Sequence, residues 1–200
     1  HNRVRRQRQM CIRDRDRLKI QNNILKLYFI KGFSWFMLAM PIIVIFFKEN
    51  GLSFIQIMIL QSVYSLTVAL TEIPSGYFAD FFGRKKSIII STILSFCGYL
   101  IFSNYCSFEA FIIAEILVAL GGSLMSGADS ALMYDSLKKL KKEERYTQIE
   151  GKSYAIGNFS ESIAGLIGGL IASVSIVLPV QIQTIVSVSY THLTLPTNTV

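Results

Sequence analysis

The sequence predicts an all-α polytopic membrane protein, and three observations predict it. Hydrophobic residues fill 52% of the 200 positions and charged residues only 16%, less charge than a soluble domain of this length uses to cover its surface. The apolar residues gather into five runs, each as long as the ~20 helical residues that a ~30 Å bilayer core requires. The runs are continuous rather than alternating, which suits helices that satisfy their own backbone in lipid and not barrel strands.

The two ends are expected to lie outside this fold. One legal encoding of residues 188–200, read as its reverse complement, translates to residues 2–14 without a mismatch. Such a match resembles a transposase-type sequencing adapter read through in frame, and tracts of that kind are set aside before fold reasoning. The expected organisation is therefore 1–15 adapter-like, 16–187 membrane domain and 188–200 adapter-like. The arginine-rich start then implies no nucleic-acid partner. Without residues 1–15, which hold six arginines and one aspartate, 14 basic residues face 12 acidic ones.

Taken in order, the first span is expected over 24–47, with Lys31 and Pro41 inside it. The second, 54–79, contains Glu72 and Pro74; prolines are tolerated in spans where neighbours re-satisfy the backbone. The third, 87–106, holds Cys97 and Cys106, roughly 13 Å apart along a helix axis and unable to bridge. The fourth, 109–136, carries Glu115, Gly122 and Asp129 at seven-residue intervals, so they share one face with ~20° of drift per heptad. The fifth, 154–175, bears Gly157, Ala164, Gly165, Gly168, Gly169 and Ala172, small residues that permit close helix packing. A sixth starts at 177 and is truncated at 187.

Lysine and arginine set the orientation. Arg17, Lys19 and Lys26 precede span 1, Arg84, Lys85 and Lys86 separate spans 2 and 3, and six more basic residues lie between spans 4 and 5. The opposite side has Lys48 alone. A multi-pass protein of a bacterial cytoplasmic membrane, with its N-terminus in the cytoplasm, is expected.

Residues 76–86 read Gly-Tyr-Phe-Ala-Asp-Phe-Phe-Gly-Arg-Lys-Lys, a charged hinge between two spans. Gly76 is expected to let a neighbouring helix approach, Gly83 to permit a tight reversal, and Asp80 and Arg84 to pair at the membrane rim. A plain positive-inside turn explains Arg84, Lys85 and Lys86 but leaves Gly76 and Asp80 without a purpose. The pattern resembles the signature loop between helices 2 and 3 of the major facilitator superfamily of secondary transporters. That resemblance covers residues 24–187 and implies the N-terminal six-helix half of a twelve-helix fold, with five full spans and a truncated sixth. It also implies a loop that braces the two halves and releases them as the cavity changes sides. Asp135, at the end of span 4, is the expected partner of Arg84. The glycines of 165–169 resemble a glycine-rich motif in helix 5 of the family's antiporters, without its proline. Span 4 departs from the drug-exporter pattern, with Glu115 where those relatives place an arginine.

Ionisable groups inside a span are costly and tend to face an aqueous cavity. Glu115 and Asp129 are the first candidates for cavity and proton-coupling roles, with Glu72 and Glu161 next; an interfacial position for Glu115 and a structural hydrogen bond for Asp129 are the bland alternatives. Lys31 either joins them or extends to the interface. The resemblance implies a small-molecule substrate and protons as partners, beside the lipid bilayer and the missing C-terminal half. Efflux is slightly favoured over uptake. No cofactor or metal is expected: His1 and His192 lie outside the membrane domain, and it holds no metal-ligand spacing or nucleophile–base set, so an enzyme is not expected. The alternative is a non-transporting polytopic anchor or scaffold, which would not need carboxylates inside spans 2, 4 and 5.

Overall fold

The computed structural model describes residues 24–194, with side chains as far as Ser187. Arg17, Lys19, the tract 2–14 and residues 195–200 lie outside the described residues. Every regular element among the described residues is helical. Helix α1 covers 24–34, and a 3₁₀ turn at Met40–Ile42 leads into α2, Ile43–Glu49. Then follow α3 (Phe54–Phe82), α4 (Arg84–Asn104), α5 (Phe108–Lys139), α6 (Tyr146–Ala172) and α7 (Val177–Thr194). Among the described residues four stretches are long and apolar enough to cross a membrane: α3, α4, α5 and Glu143–Ala172.

The first span differs from its expected form. It is two helices with non-helical residues between them, not one helix over 24–47. Pro41 sits in the first turn after the break, where its missing N–H costs least and its ring disfavours helix in the preceding residue. The freed backbone finds side-chain partners, as burial demands. The Leu38 N–H donates to Oε1 of Gln183 at 2.7 Å, and Ser160 Oγ donates to the Gly32 carbonyl at 2.6 Å.

Most of the expected 76–86 hinge is helix as well. Helix α3 runs on past Asp80 to Phe82 and α4 begins at Arg84, so the reversal falls on Gly83 alone, at φ 93° and ψ 133°. Only glycine adopts that backbone without strain.

Helix α5 is the centre of the bundle, packed between α3 and α4, while α7 packs on α4 and touches α6. Small residues set the spacing. A Cβ on Gly121 would stand 2.8 Å from the Ser91 carbonyl oxygen, and one on Gly98 would stand 3.0 Å from that of Ala114. One end of the bundle is filled by Phe46, Phe47, Phe102 and Phe111, with the Phe47 and Phe111 rings 5.2 Å apart. Leu27, Ile30, Met133 and Leu137 fill the other. The helix starts are well formed. Ser53 and Gln56 make a reciprocal capping box on α3, and Ser107 Oγ accepts the Ala110 N–H at the start of α5. Outward faces stay apolar: Leu66, Leu70 and Ile73 of α3 and Phe159, Leu166 and Leu170 of α6 are exposed. Water would penalise such stripes, whereas lipid or a covering helix would not.

Candidate functional site

Where α1 breaks, α3, α5 and α6 leave room inside the bundle. A cavity of about 260 Å³ opens there, with Lys31, Trp35, Tyr64, Glu72, Asp129 and Tyr154 in its wall. Its two most buried charged groups belong to one contact. Lys31 Nζ donates to Asp129 Oδ2 at 2.8 Å, with the side chains 5% and 10% exposed. The same ammonium lies 4.6 Å from the centre of the Tyr154 ring and 5.4 Å from that of Trp35, within the range in which an aromatic face attracts a cation. Asp129 Oδ1 accepts the Ser130 N–H at 2.6 Å, and Ser130 Oγ donates onward to Glu150 Oε1 at 2.8 Å.

Local sequence explains this seat. The break after α1 turns Trp35 inward, and Gly157 of α6 makes room for its indole: a Cβ there would come within 2.9 Å of the ring. The Trp35 and Tyr154 rings then meet edge to face, 5.8 Å between centres. Chemically, a buried ion pair resists loss of either partner, because the survivor is an uncompensated charge. A ligand charge or a proton that enters must replace one of the two.

Glu115 does not share this cavity. It is buried beside a smaller space of about 50 Å³, which has Met37, Tyr64, Tyr99 and Val118 in common with the larger one. Glu72 lines the larger cavity, while Glu161 is half-buried on α6 and lines neither. Of the four carboxylates singled out in the sequence, the fold brings Asp129 and Glu72 together, sets Glu115 next door and leaves Glu161 apart.

At one end of the bundle Arg84 gathers three acceptors. It forms ion pairs with Asp135 and with Asp80, the latter at 3.4 Å, and donates to the Ala131 carbonyl. Helices α3, α4 and α5 thus meet at one guanidinium, whose side chain is 23% exposed against 68% for Asp80. Lys85 lines the adjoining cleft of about 500 Å³. The packing expected of Gly76 needs correction. A Cβ on Gly76 would meet nothing within 4 Å; the close approach is made by Gly127 of α5, whose Cβ would lie 3.3 Å from the Gly76 nitrogen.

The α6 glycines divide likewise. Gly157 accommodates Trp35, Gly165 lies against Pro41 with 3.4 Å available to a Cβ, and a Cβ on Gly168 would overlap the Leu38 carbonyl. Gly169 is the exception to the expected packing stripe, because a Cβ there would touch nothing within 4 Å. It points away from the broken helix that the other three contact. Among the described residues no cluster of histidine, cysteine and carboxylate side chains could hold a metal ion. Sequence reasoning passed over Trp35, Tyr154 and Gln183. Gln183 could have been noticed as an amide in an otherwise apolar run, but nothing local marks the two aromatics.

A family model described as the Major Facilitator Superfamily matches residues 24–195. The uncharacterized MFS-type transporter YxaM of Bacillus subtilis (strain 168) is 34% identical over 88 residues, which are 44% of this chain and 22% of that protein. An uncharacterized transporter of Buchnera aphidicola subsp. Schizaphis graminum is 32% identical over 109 residues, 54% of this chain and 27% of its own. Among solved structures, the peptide transporter POT in complex with sulfate superposes with a TM-score of 0.69 at 16% identity, over 86% of this chain and 37% of that one. At that identity the likeness is one of fold. The matched part of the chain spans about a quarter of the length of these two curated relatives.

Proposed function

Because the chain belongs to the Major Facilitator Superfamily, we propose that it is part of a secondary transporter that moves a small solute across the membrane by alternating access, coupled to protons. The observation that carries this reading is the Lys31–Asp129 pair in the wall of an internal cavity, beside a break in the first membrane helix. Broken helices beside midplane cavities are where secondary transporters bind their cargo. A buried pair that can be opened by a proton or a substrate charge supplies a two-state element for coupling. Asp129 and Glu115 are the proposed coupling carboxylates. They stand roughly 21 Å apart along α5, two stations and not one site.

Asp80, Gly83, Arg84 and Asp135 form the proposed gate. Their joining of three helix ends supports a role in holding one conformation of the transporter and releasing it in the other. The basic residues beside them support a cytoplasmic position for this end under the positive-inside rule. Export, rather than uptake, rests on the α6 glycine resemblance alone, and packing against Leu38 and Pro41 already gives two of those glycines, Gly165 and Gly168, a structural purpose.

The test is solute-driven proton movement. The full-length protein is reconstituted in liposomes with a pH-sensitive dye inside, and candidate solutes are added across a pH gradient. A solute that moves protons through the wild type but not through the Glu115→Gln, Asp129→Asn double variant is the expected result. If no class of solute moves protons, and the remainder of the gene encodes a soluble domain instead of further spans, the protein is a membrane scaffold.

A further inference from the structure

Resting on the transport reading, we infer that the solute is an organic cation with an apolar body, and that the Lys31 ammonium occupies the seat its positive charge takes. The seat is built for a cation whichever molecule carries it. It has a carboxylate oxygen at 2.8 Å and two aromatic faces at 4.6 and 5.4 Å. A carboxylate with flanking aromatic rings is how ammonium and quaternary ammonium groups are bound in water-poor sites.

Charge balance points the same way. Asp129 and Glu72 line the cavity, Glu150 is tied to Asp129 through Ser130, and Glu115 lines the adjoining space, against one lining cation, Lys31. An anionic solute would meet this excess of carboxyl groups, and water does little to screen its repulsion by the buried Asp129. A cation would meet attraction. Beyond the charged seat the wall includes Tyr64, Tyr99, Val68, Val118 and Met125, surfaces that suit an aromatic or aliphatic body, beside the neutral hydroxyls of Ser34, Ser95, Ser123 and Ser126. The volume of about 260 Å³ has room for a small amine with one ring.

Exchange needs no covalent step. Lys31 carries its ammonium on a flexible four-carbon stem, so the side chain can swing aside while the solute cation pairs with Asp129. Glu72, in the same wall, offers the displaced ammonium a second carboxylate. The positive charge in the seat is conserved, so Asp129 is never left buried and unpaired.

Calorimetric titration of the detergent-solubilised full-length protein tests this with benzyltrimethylammonium as the cation and benzenesulfonate as an anion of similar size. The cation is expected to bind and the sulfonate to fail. Trp35→Leu should weaken the cation roughly threefold to thirtyfold, the range of one cation–aromatic contact. Lys31→Met removes the internal competitor, so it should bind the cation about tenfold more tightly, and the cation should raise the melting temperature of this variant more than that of the wild type. Should Lys31→Met not yield folded protein, Glu72→Gln leaves the ion pair intact and should still lower cation affinity about threefold. Tighter binding of the sulfonate, weaker cation binding by folded Lys31→Met, unchanged affinity in Glu72→Gln, or no cation binding at all would each overturn the inference. The two readings fail separately: cation binding without solute-driven proton flux defeats transport, and flux of an anionic solute without cation binding defeats the cation seat.

Discussion

Lys31 Nζ and Asp129 Oδ2 lie 2.8 Å apart, joining α1 to α5 across 98 positions of sequence. Both side chains are almost fully buried, so solvent does little to screen the pair and removal of one partner strands the other. Lys31→Met or Asp129→Asn alone is expected to destabilise the protein by roughly 3–5 kcal/mol, and the double variant to recover most of that loss. Thermal unfolding of the detergent-solubilised full-length protein, read as a double-mutant cycle, decides it. Additive losses would mean that the two residues act independently.

Arg84 invites a contrast between stability and rate. Asp80 is largely exposed and its contact with Arg84 is long, so Asp80→Asn should change stability by no more than about 1 kcal/mol. The same variant is expected to slow transport while leaving substrate affinity near normal. Arg84→Ala, which also releases Asp135 and the Ala131 carbonyl, should be worse on both counts. A normal transport rate in Asp80→Asn would count decisively against the gate.

Neighbouring glycines on α6 should behave oppositely. Gly168→Ala drives a methyl into the Leu38 carbonyl, which is backbone and cannot step aside, and should cost about 1–3 kcal/mol. Gly169→Ala meets open space and should be neutral or stabilising by up to about 1 kcal/mol from helix propensity. Melting temperatures of the two variants give the answer, and equal effects would refute this packing of α6 on the broken helix.

Glu115 and Asp129 are separable in transport assays. Each single variant, Glu115→Gln or Asp129→Asn, is expected to weaken the dependence of flux on a proton gradient, and the pair together to abolish it. A double variant that keeps both its rate and its gradient dependence would end the coupling proposal and turn attention to Glu72 and Glu161.

We propose that residues 1–15 and 188–200 are absent from the natural gene, on the strength of the inverted codon match between 2–14 and 188–200. Amplification across the genomic locus should show a different sequence on either side of the membrane domain. An uninterrupted locus encoding Arg3–Asp14 beside the first span would overturn this.

Much of the architecture was legible in the residues. Long apolar runs announced α3, α4, α5 and α6 because the bilayer sets a minimum length that few soluble segments reach. Pro41 hinted at a break in the first span without revealing its extent, since the length of unwinding depends on which side chains arrive to satisfy the backbone. Gln183 and Ser160 do so from 145 and 128 positions away. Gly83 was readable as a reversal, whereas Gly76 misled, because its neighbour Gly127 makes the contact.

Charge and spacing along the chain were enough to determine a helical membrane protein, its signature hinge and a short list of ionisable groups inside the spans. Hydropathy and helical periodicity are local properties, and local properties survive in a one-dimensional string. Only the tertiary structure decided that Asp129 is paired with Lys31, that Trp35 and Tyr154 flank the ammonium, and that Glu115 occupies a separate space. Those facts depend on where the broken first helix lies against α5 and α6. Packing across a bundle is set by the joint shapes of distant segments, which no single stretch of sequence contains.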